Sequence, residues 1–120
     1  DKSETKIINA GEMPTGVTLR LFANSTGVQN PTIYNKTNNT FFALDFDMEQ
    51  GDLITITTHF NNKKVVLLRN GVETNILYAV KEGSTWLQLE PGENKISFTC
   101  SKGANDLDLQ VEYTEMFEGI

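Results

Sequence analysis

Cysteine and histidine are almost absent from this chain, with one of each among 120 residues. The lone Cys100 excludes an internal disulfide and leaves no CxxC pair for metal or redox chemistry, so the fold has to rest on its hydrophobic core. It continues the alternation Ile96, Phe98, Cys100 and reads as a buried thiol. The lone His59 rules out a histidine-rich metal site, and a catalytic triad would rest on it alone. No Gly-x-Ser-x-Gly elbow accompanies it, and it reads as a strand or turn residue beside Phe60. Gly51, Gly71, Gly83, Gly92 and Gly103 stand singly at turns, so there is no glycine-rich phosphate loop before a helix. No enzymatic activity, cofactor or metal is expected.

Basic residues are also scarce. Ten Lys and Arg face sixteen Asp and Glu, giving a net charge of -6, whereas phosphate backbones are bound by clustered cations. The short clusters Lys63-Lys64 and Lys95 with Lys102 lack interleaved aromatics and read as solvated strand ends, so nucleic acid is not an expected partner. No apolar run approaches the roughly 20 residues that span a bilayer, and Asp-Lys-Ser-Glu-Thr at the N-terminus has no signal-peptide core. A soluble protein without membrane insertion is expected. The chain begins without methionine, which reads as a piece of something longer.

Helical periodicity is the last notable absence, and alternation with period two takes its place. Residues 1–120 read as a single all-β domain, long enough to bury roughly two-thirds of its unfolded-state surface. The predicted strands are Thr5 to Asn9, Val17 to Ala23, Thr32 to Asn35, Thr40 to Met48 and Leu53 to Phe60. Lys64 to Arg69, Ser84 to Leu89, Asn94 to Cys100 and Leu107 to Thr114 follow. Turn-forming residues separate them, as at Gln50-Gly51-Asp52, Asn61-Asn62 and Gly103-Ala104-Asn105, and the 8 to 12 residue spacing suggests a sandwich or barrel.

Two turns are specified closely. Asn70-Gly71 supplies the two positive-φ positions of a type I′ loop, so Val65 to Arg69 should fold back onto Val72 to Asn75. Pro91-Gly92-Glu93-Asn94 offers Pro at the first corner and Gly at the second corner of a type II turn, and is expected to join Leu87 and Leu89 to Ile96 and Phe98 as a hairpin. Ile76 to Val80 is open between a short strand and one turn of helix. In Leu44 to Glu49 and Leu107 to Tyr113 the apolar side chains take one face and Asp, Glu or Gln the other, which is how antiparallel strands with one wet face look.

Two groups of side chains invite a site. Asp45, Asp47 and Glu49 suggest a hard cation, but residues two apart on a strand lie about 6.5 to 7 Å apart along one face, too spread for one ion. A solvated face is the reading preferred, and Asp106, Asp108 and Glu112 receive the same one. Glycosidase chemistry needs two carboxylates facing across a cleft, and nothing in the pattern favours it. The second group is aromatic. Trp86 with Tyr34, Phe41, Phe42, Phe60 and Tyr78 could build a stacking platform for a sugar ring amid many asparagines, or these side chains could serve packing. Trp86 and Tyr34 are the candidate surface recognition residues.

Taken in order, five segments resemble the C-terminal domain of the distal tail protein of long-tailed, noncontractile bacteriophages. They are Ile8-Asn9-Ala10-Gly11-Glu12-Met13-Pro14, Asn30-Pro31-Thr32-Ile33-Tyr34-Asn35, Gln50 to Thr58, Lys64 to Gly71 and Trp86 to Ile96, and Tyr113 to Ile120 resembles the family's terminus. The resemblance implies an antiparallel jelly-roll sandwich, galectin-like or galactose-binding-like. It implies the outer domain of a longer protein whose N-terminal part forms a hexameric ring, so a ring is expected only with that part. The implied function is a non-enzymatic module of a phage or prophage tail tip, at the baseplate hub. The module would be a docking platform for adsorption or receptor-binding proteins. Its partners would be other tail and baseplate proteins, and its location the virion tail tip, after a soluble stage in the bacterial cytoplasm. The alternative is a carbohydrate-binding module recognising a host cell-surface saccharide, since the implied fold recurs among lectins.

Overall fold

A computed structural model describes residues 4–113. Its elements are all β apart from two single turns of 3₁₀ helix, and every strand pairing is antiparallel. One sheet orders β1 (Thr5–Asn9), β12 (Gly92–Thr99), β5 (Thr32–Asn35) and β6 (Thr40–Ala43) side by side. The other orders β10 (Val72–Asn75), β9 (Asn62–Arg69), β8 (Leu53–His59), β3 (Thr18–Ala23) and β13 (Leu107–Glu112). Two short ribbons close the sandwich, β2 (Thr15–Gly16) with β11 (Gln88–Leu89) and β4 (Val28–Gln29) with β7 (Asp47–Met48).

Alternation decides what lies between the sheets. Leu19 and Leu21 of β3, Ile54 and Ile56 of β8 and Val65 and Leu67 of β9 face Ile33, Phe42 and Ile96 of the four-stranded sheet in one buried cluster. Leu44, Met48, Ile76, Leu87 and Leu89 from the connections complete it. The expected all-β antiparallel sandwich is therefore what forms, and Leu107 to Glu112 lies within the strand expected there; Thr114 and the closing segment fall outside the described residues.

Three expectations need revision or resolution. Thr40 to Met48 is not one strand: after Ala43 the chain leaves its sheet, bridges Val80 through Leu44, bonds Ala79 O from Asp45 N–H at 2.7 Å, and pairs with β4 at Asp47 and Met48. Leu44 and Met48 still point into the core and Asp45, Asp47 and Glu49 out, so the face pattern survives the break. Asn70 (φ +52°) and Gly71 (φ +77°) make the expected reversal, with Val72 opposite Arg69. Ile76 to Val80 resolves as the helical turn, a 3₁₀ turn at Leu77–Ala79.

The third revision is the most consequential. Of Ser84 to Leu89 only Gln88 and Leu89 are strand, and they pair with β2 rather than with β12. Gly92 does take positive φ (+96°), so the chain reverses there, but no ladder forms across the turn. Buried side chains take the ladder's place. Thr58 Oγ1 donates to Leu87 O at 2.7 Å and accepts from Val17 N–H at 2.8 Å. Asn35 Nδ2 donates to Gln88 O at 3.0 Å, and Asn9 Nδ2 to Leu89 O at 3.1 Å. Asn94 donates to Glu90 O at 2.8 Å and accepts Glu90 N–H at 2.9 Å, while its Oδ1 also receives the second hydrogen bond of Asn35, at 3.0 Å. The strap of residues 87–90 is thus fastened to both sheets by side chains that are themselves buried. A backbone approach fixes its neighbour: a Cβ on Gly16 would stand 2.7 Å from His59 Cα and 2.9 Å from Thr58 O, so β2 can cross β8 only with glycine there.

Removing one clamp leaves buried backbone groups without partners, each costing about 1–3 kcal/mol. Asn94→Ala is expected to lower unfolding free energy by about 2–4 kcal/mol in urea titrations, whereas Asn62→Ala, at an exposed position, stays within about 0.5 kcal/mol of the parent.

Candidate functional site

The two aromatic candidates come to different places. Tyr34 of β5 stands directly opposite Phe41 of β6, their ring centroids 6.5 Å apart at 49°, on the outer side of the four-stranded sheet. Successive strand residues alternate faces, so Phe42, next in β6, points into the core, and there it meets Trp86 at 4.8 Å and 48°. Trp86 is half-buried and opens onto a shallow depression with Phe60, Lys63, Thr85 and Gln88. Tyr34 lines another with Thr32, Phe41, Ala43, Lys81 and Glu82. No asparagine, aspartate or arginine lines either depression, and the Gln88 amide is committed to the carbonyls of Thr58, Trp86 and Leu87.

The acidic candidates are dispersed. Among the described residues no three of His, Cys, Asp and Glu are gathered as a metal site. Asp108 accepts from Asn24 at 2.8 Å and Glu112 from Arg20 at 2.7 Å, while Asp45 and Asp47 are exposed. His59, half-buried at the end of β8, lines a groove of about 420 Å³ over the outer face of the five-stranded sheet with Thr57, Asn62 and Lys64. Cys100 is half-buried, and burial pushes its thiol up to about 11, which keeps it protonated and unreactive at neutral pH.

One charged cluster was not anticipated. Asp52 ends the turn before β8 and Arg69 ends β9, and the β8–β9 pairing of Leu53 with Leu68 continues one step outward to bring them together. Arg69 Nε and Nη2 donate to the two Asp52 carboxylate oxygens at 2.9 and 2.6 Å, and Nη1 stands 3.3 Å from Glu49. The Asp52 side chain is only 1% exposed, and the Glu49 N–H donates to it at 2.8 Å. Burial alone would raise its pKa; the hydrogen bonds from Arg69 and from the Glu49 backbone outweigh that and hold the carboxyl below its ordinary value. Above the cluster the guanidinium lies 5.8 Å from the centroid of Phe46, and Phe46, Arg69, Val72 and Tyr78 share a depression of about 400 Å³. A hairpin register counted from the right turn is the signal that could have found the pair. Asn61-Asn62 looks like the turn, but the two-residue loop is Phe60-Asn61, with Asn61 at φ +66° and His59 opposite Asn62.

The family of siphovirus-type tail components, through the model of its C-terminal domain, matches residues 10–117. The chain belongs to that family. No curated protein and no solved structure matches it. As a siphovirus tail component, the domain carries no helix among its described residues long and apolar enough to cross a membrane.

Two measurements follow for this tail-component domain. The Asp52 contribution is complete above the unfolded carboxyl value of 3.8 and is lost as pH falls through the lower folded value. Arg69→Met is therefore expected to cost about 2 kcal/mol at pH 7, with the urea stabilities of variant and parent converging as pH drops from 4 toward 2. Cys100 should react with iodoacetamide at pH 8 at least ~10-fold more slowly folded than in urea, because little thiolate is present.

Proposed function

We propose that this domain is a non-enzymatic outer module of the tail tip, a docking platform for adsorption or receptor-binding proteins. One observation carries the reading. The interior is closed and its polar groups are paired, while large apolar side chains stand out in water at the periphery: Phe60 is 84% exposed, Tyr78 78% and Val72 63%. Val72 and Tyr78 share one depression, and apolar side chains grouped in this way are characteristic of surfaces that another protein covers. Membership of a tail-component family supports neighbours drawn from the tail and baseplate. In this reading the protein waits soluble in the bacterial cytoplasm and reaches the virion tail tip on assembly. The hexameric ring belongs to an N-terminal part.

Native mass spectrometry of the full-length gene product tests the reading. Six copies in a ring, with this domain accessible to limited proteolysis at its linker, are expected; a strictly monomeric full-length protein at micromolar concentration would count against it.

A host cell-surface saccharide is the second reading, and Trp86 with exposed Phe60 beside it is the arrangement that favours it, because sugar rings stack on such faces. The hydroxyls would also need polar partners; the Gln88 amide beside Trp86 is committed to backbone carbonyls, and Glu82 is the one carboxylate lining either depression. Calorimetric titration with cell-wall saccharides decides this: heat lost in Trp86→Ala or Tyr34→Ala supports sugar binding, and flat titrations of the parent chain remove it.

A further inference from the structure

The sheet edges are not treated alike. Along β6 the segment 81–85 covers the edge: Lys81 N–H donates to Ala43 O at 2.9 Å, Thr85 N–H to Phe41 O at 2.7 Å, and Ala43 N–H to Ser84 Oγ at 3.0 Å. β10 ends the five-stranded sheet with nothing beyond it among the described residues, and all four of its residues are exposed. In a two-residue hairpin the residues flanking the loop form a hydrogen-bonded pair and pairing then alternates. Val72 with Arg69 and Thr74 with Leu67 therefore use their backbone groups inward, a phase confirmed by Ile76 N–H bonding Val65 O at 3.0 Å. The N–H and C=O of Glu73 and the C=O of Asn75 point outward, with no partner among the described residues. Edges are commonly blunted by charged side chains, above all Lys, by Pro, by a bulge or by shortness; the four residues Val-Glu-Thr-Asn include neither Lys nor Pro and carry one charge, on Glu73.

The face beside this edge mixes apolar side chains with Arg69, Asn70 and Thr74, and the Phe46 that lines it is flanked in sequence by the exposed Asp45 and Asp47. Val72 and Thr74 line the depression of about 400 Å³ whose walls are Phe46 and the exposed ring of Tyr78. Its one cation, Arg69, is already shared by Asp52 and Glu49. Asp45, bonded through its backbone to Ala79, and Asp47, following Phe46, are exposed carboxylates with no ion pair among the described residues.

We infer that β10 is the docking edge of the platform, extended by a strand of a neighbouring tail protein. That strand places apolar side chains against Val72 and Tyr78 and Lys or Arg beside Asp45 and Asp47. This rests on the docking reading and adds the face, the mode and the chemistry of the partner. Backbone bonds to Glu73 and Asn75 supply pairing, and the depression with the carboxylates that flank Phe46 supplies selectivity. A second copy of this chain fits less well, since it would bring the same carboxylates against themselves.

Purified tails carrying the full-length protein provide the test. Amide exchange in the peptide covering Val72–Asn75 is expected to slow by ~100-fold or more in tails relative to the isolated protein. Glu73→Pro removes only an outward N–H, so its thermal transition should match the parent while its tails lose the bound adsorption protein. Tyr78→Glu, at an exposed position, should do the same without touching the backbone. Equal exchange in the two states, or Glu73→Pro and Tyr78→Glu tails that keep the adsorption protein on another face of the domain, would overturn the edge and leave the platform standing. Tails in which no face of the domain gains protection would overturn the platform itself. Dimerisation of the isolated chain that Glu73→Pro abolishes would overturn the assignment to a different protein.

Discussion

Every buried carbonyl has to find a donor, and in this sandwich that requirement concentrates on one short strap. Residues 87–90 carry Leu87 and Leu89 into the core, so their backbone cannot turn to water. Thr58 from one sheet, Asn9, Asn35 and Asn94 from the other, bind its carbonyls in succession. Because Asn35 also donates to Asn94, those two clamps are coupled, and the loss of one leaves the other short of a partner. With the strap fixed, Trp86 is held against Phe42, β2 is held against β8 through Gly16, and segment 81–85 lies along β6. The surface inherits its shape from that buried polar network as much as from the apolar core.

Strands were legible where alternation and turn chemistry agree. Thr5–Asn9 and Thr32–Asn35 coincide with their expected bounds, and the Asn70-Gly71 reversal follows from a dipeptide whose residues accept positive φ. The strap was not legible, because Leu87, Gln88, Leu89 alternate as a strand would whether a neighbouring strand or the side chains of Thr58, Asn35 and Asn9 bind their carbonyls. Asparagine on a strand reads as a weak strand former or a solvated turn residue; only the fold reveals Asn9, Asn35 and Asn94 as buried. The Asp52–Arg69 pair was hidden by a turn placed one residue too late, since that shift sets Asp52 opposite Gly71.

Function and architecture meet at the contrast between interior and rim. The one thiol is held protonated, and Glu49, Asp52, Glu90, Glu93, Asp108 and Glu112 are paired to Arg, Lys or Asn side chains. At its margins this tail component presents large apolar side chains to solvent. The Arg69 cluster joins the two halves of this description. Its buried carboxylate ties the start of β8 to the end of β9, and its guanidinium forms one wall of the depression beside β10.

The most direct test of the account is exchange of the asparagine side-chain amides, followed by NMR in the folded protein. If the strap is fastened as described, the Nδ2 protons of Asn35 and Asn94 exchange only through global unfolding, with protection equal to that of the most protected core amides of β8. Exchange of those protons within seconds while β8 remains protected would show that the strap opens independently, and would contradict the claim that the sandwich depends on it.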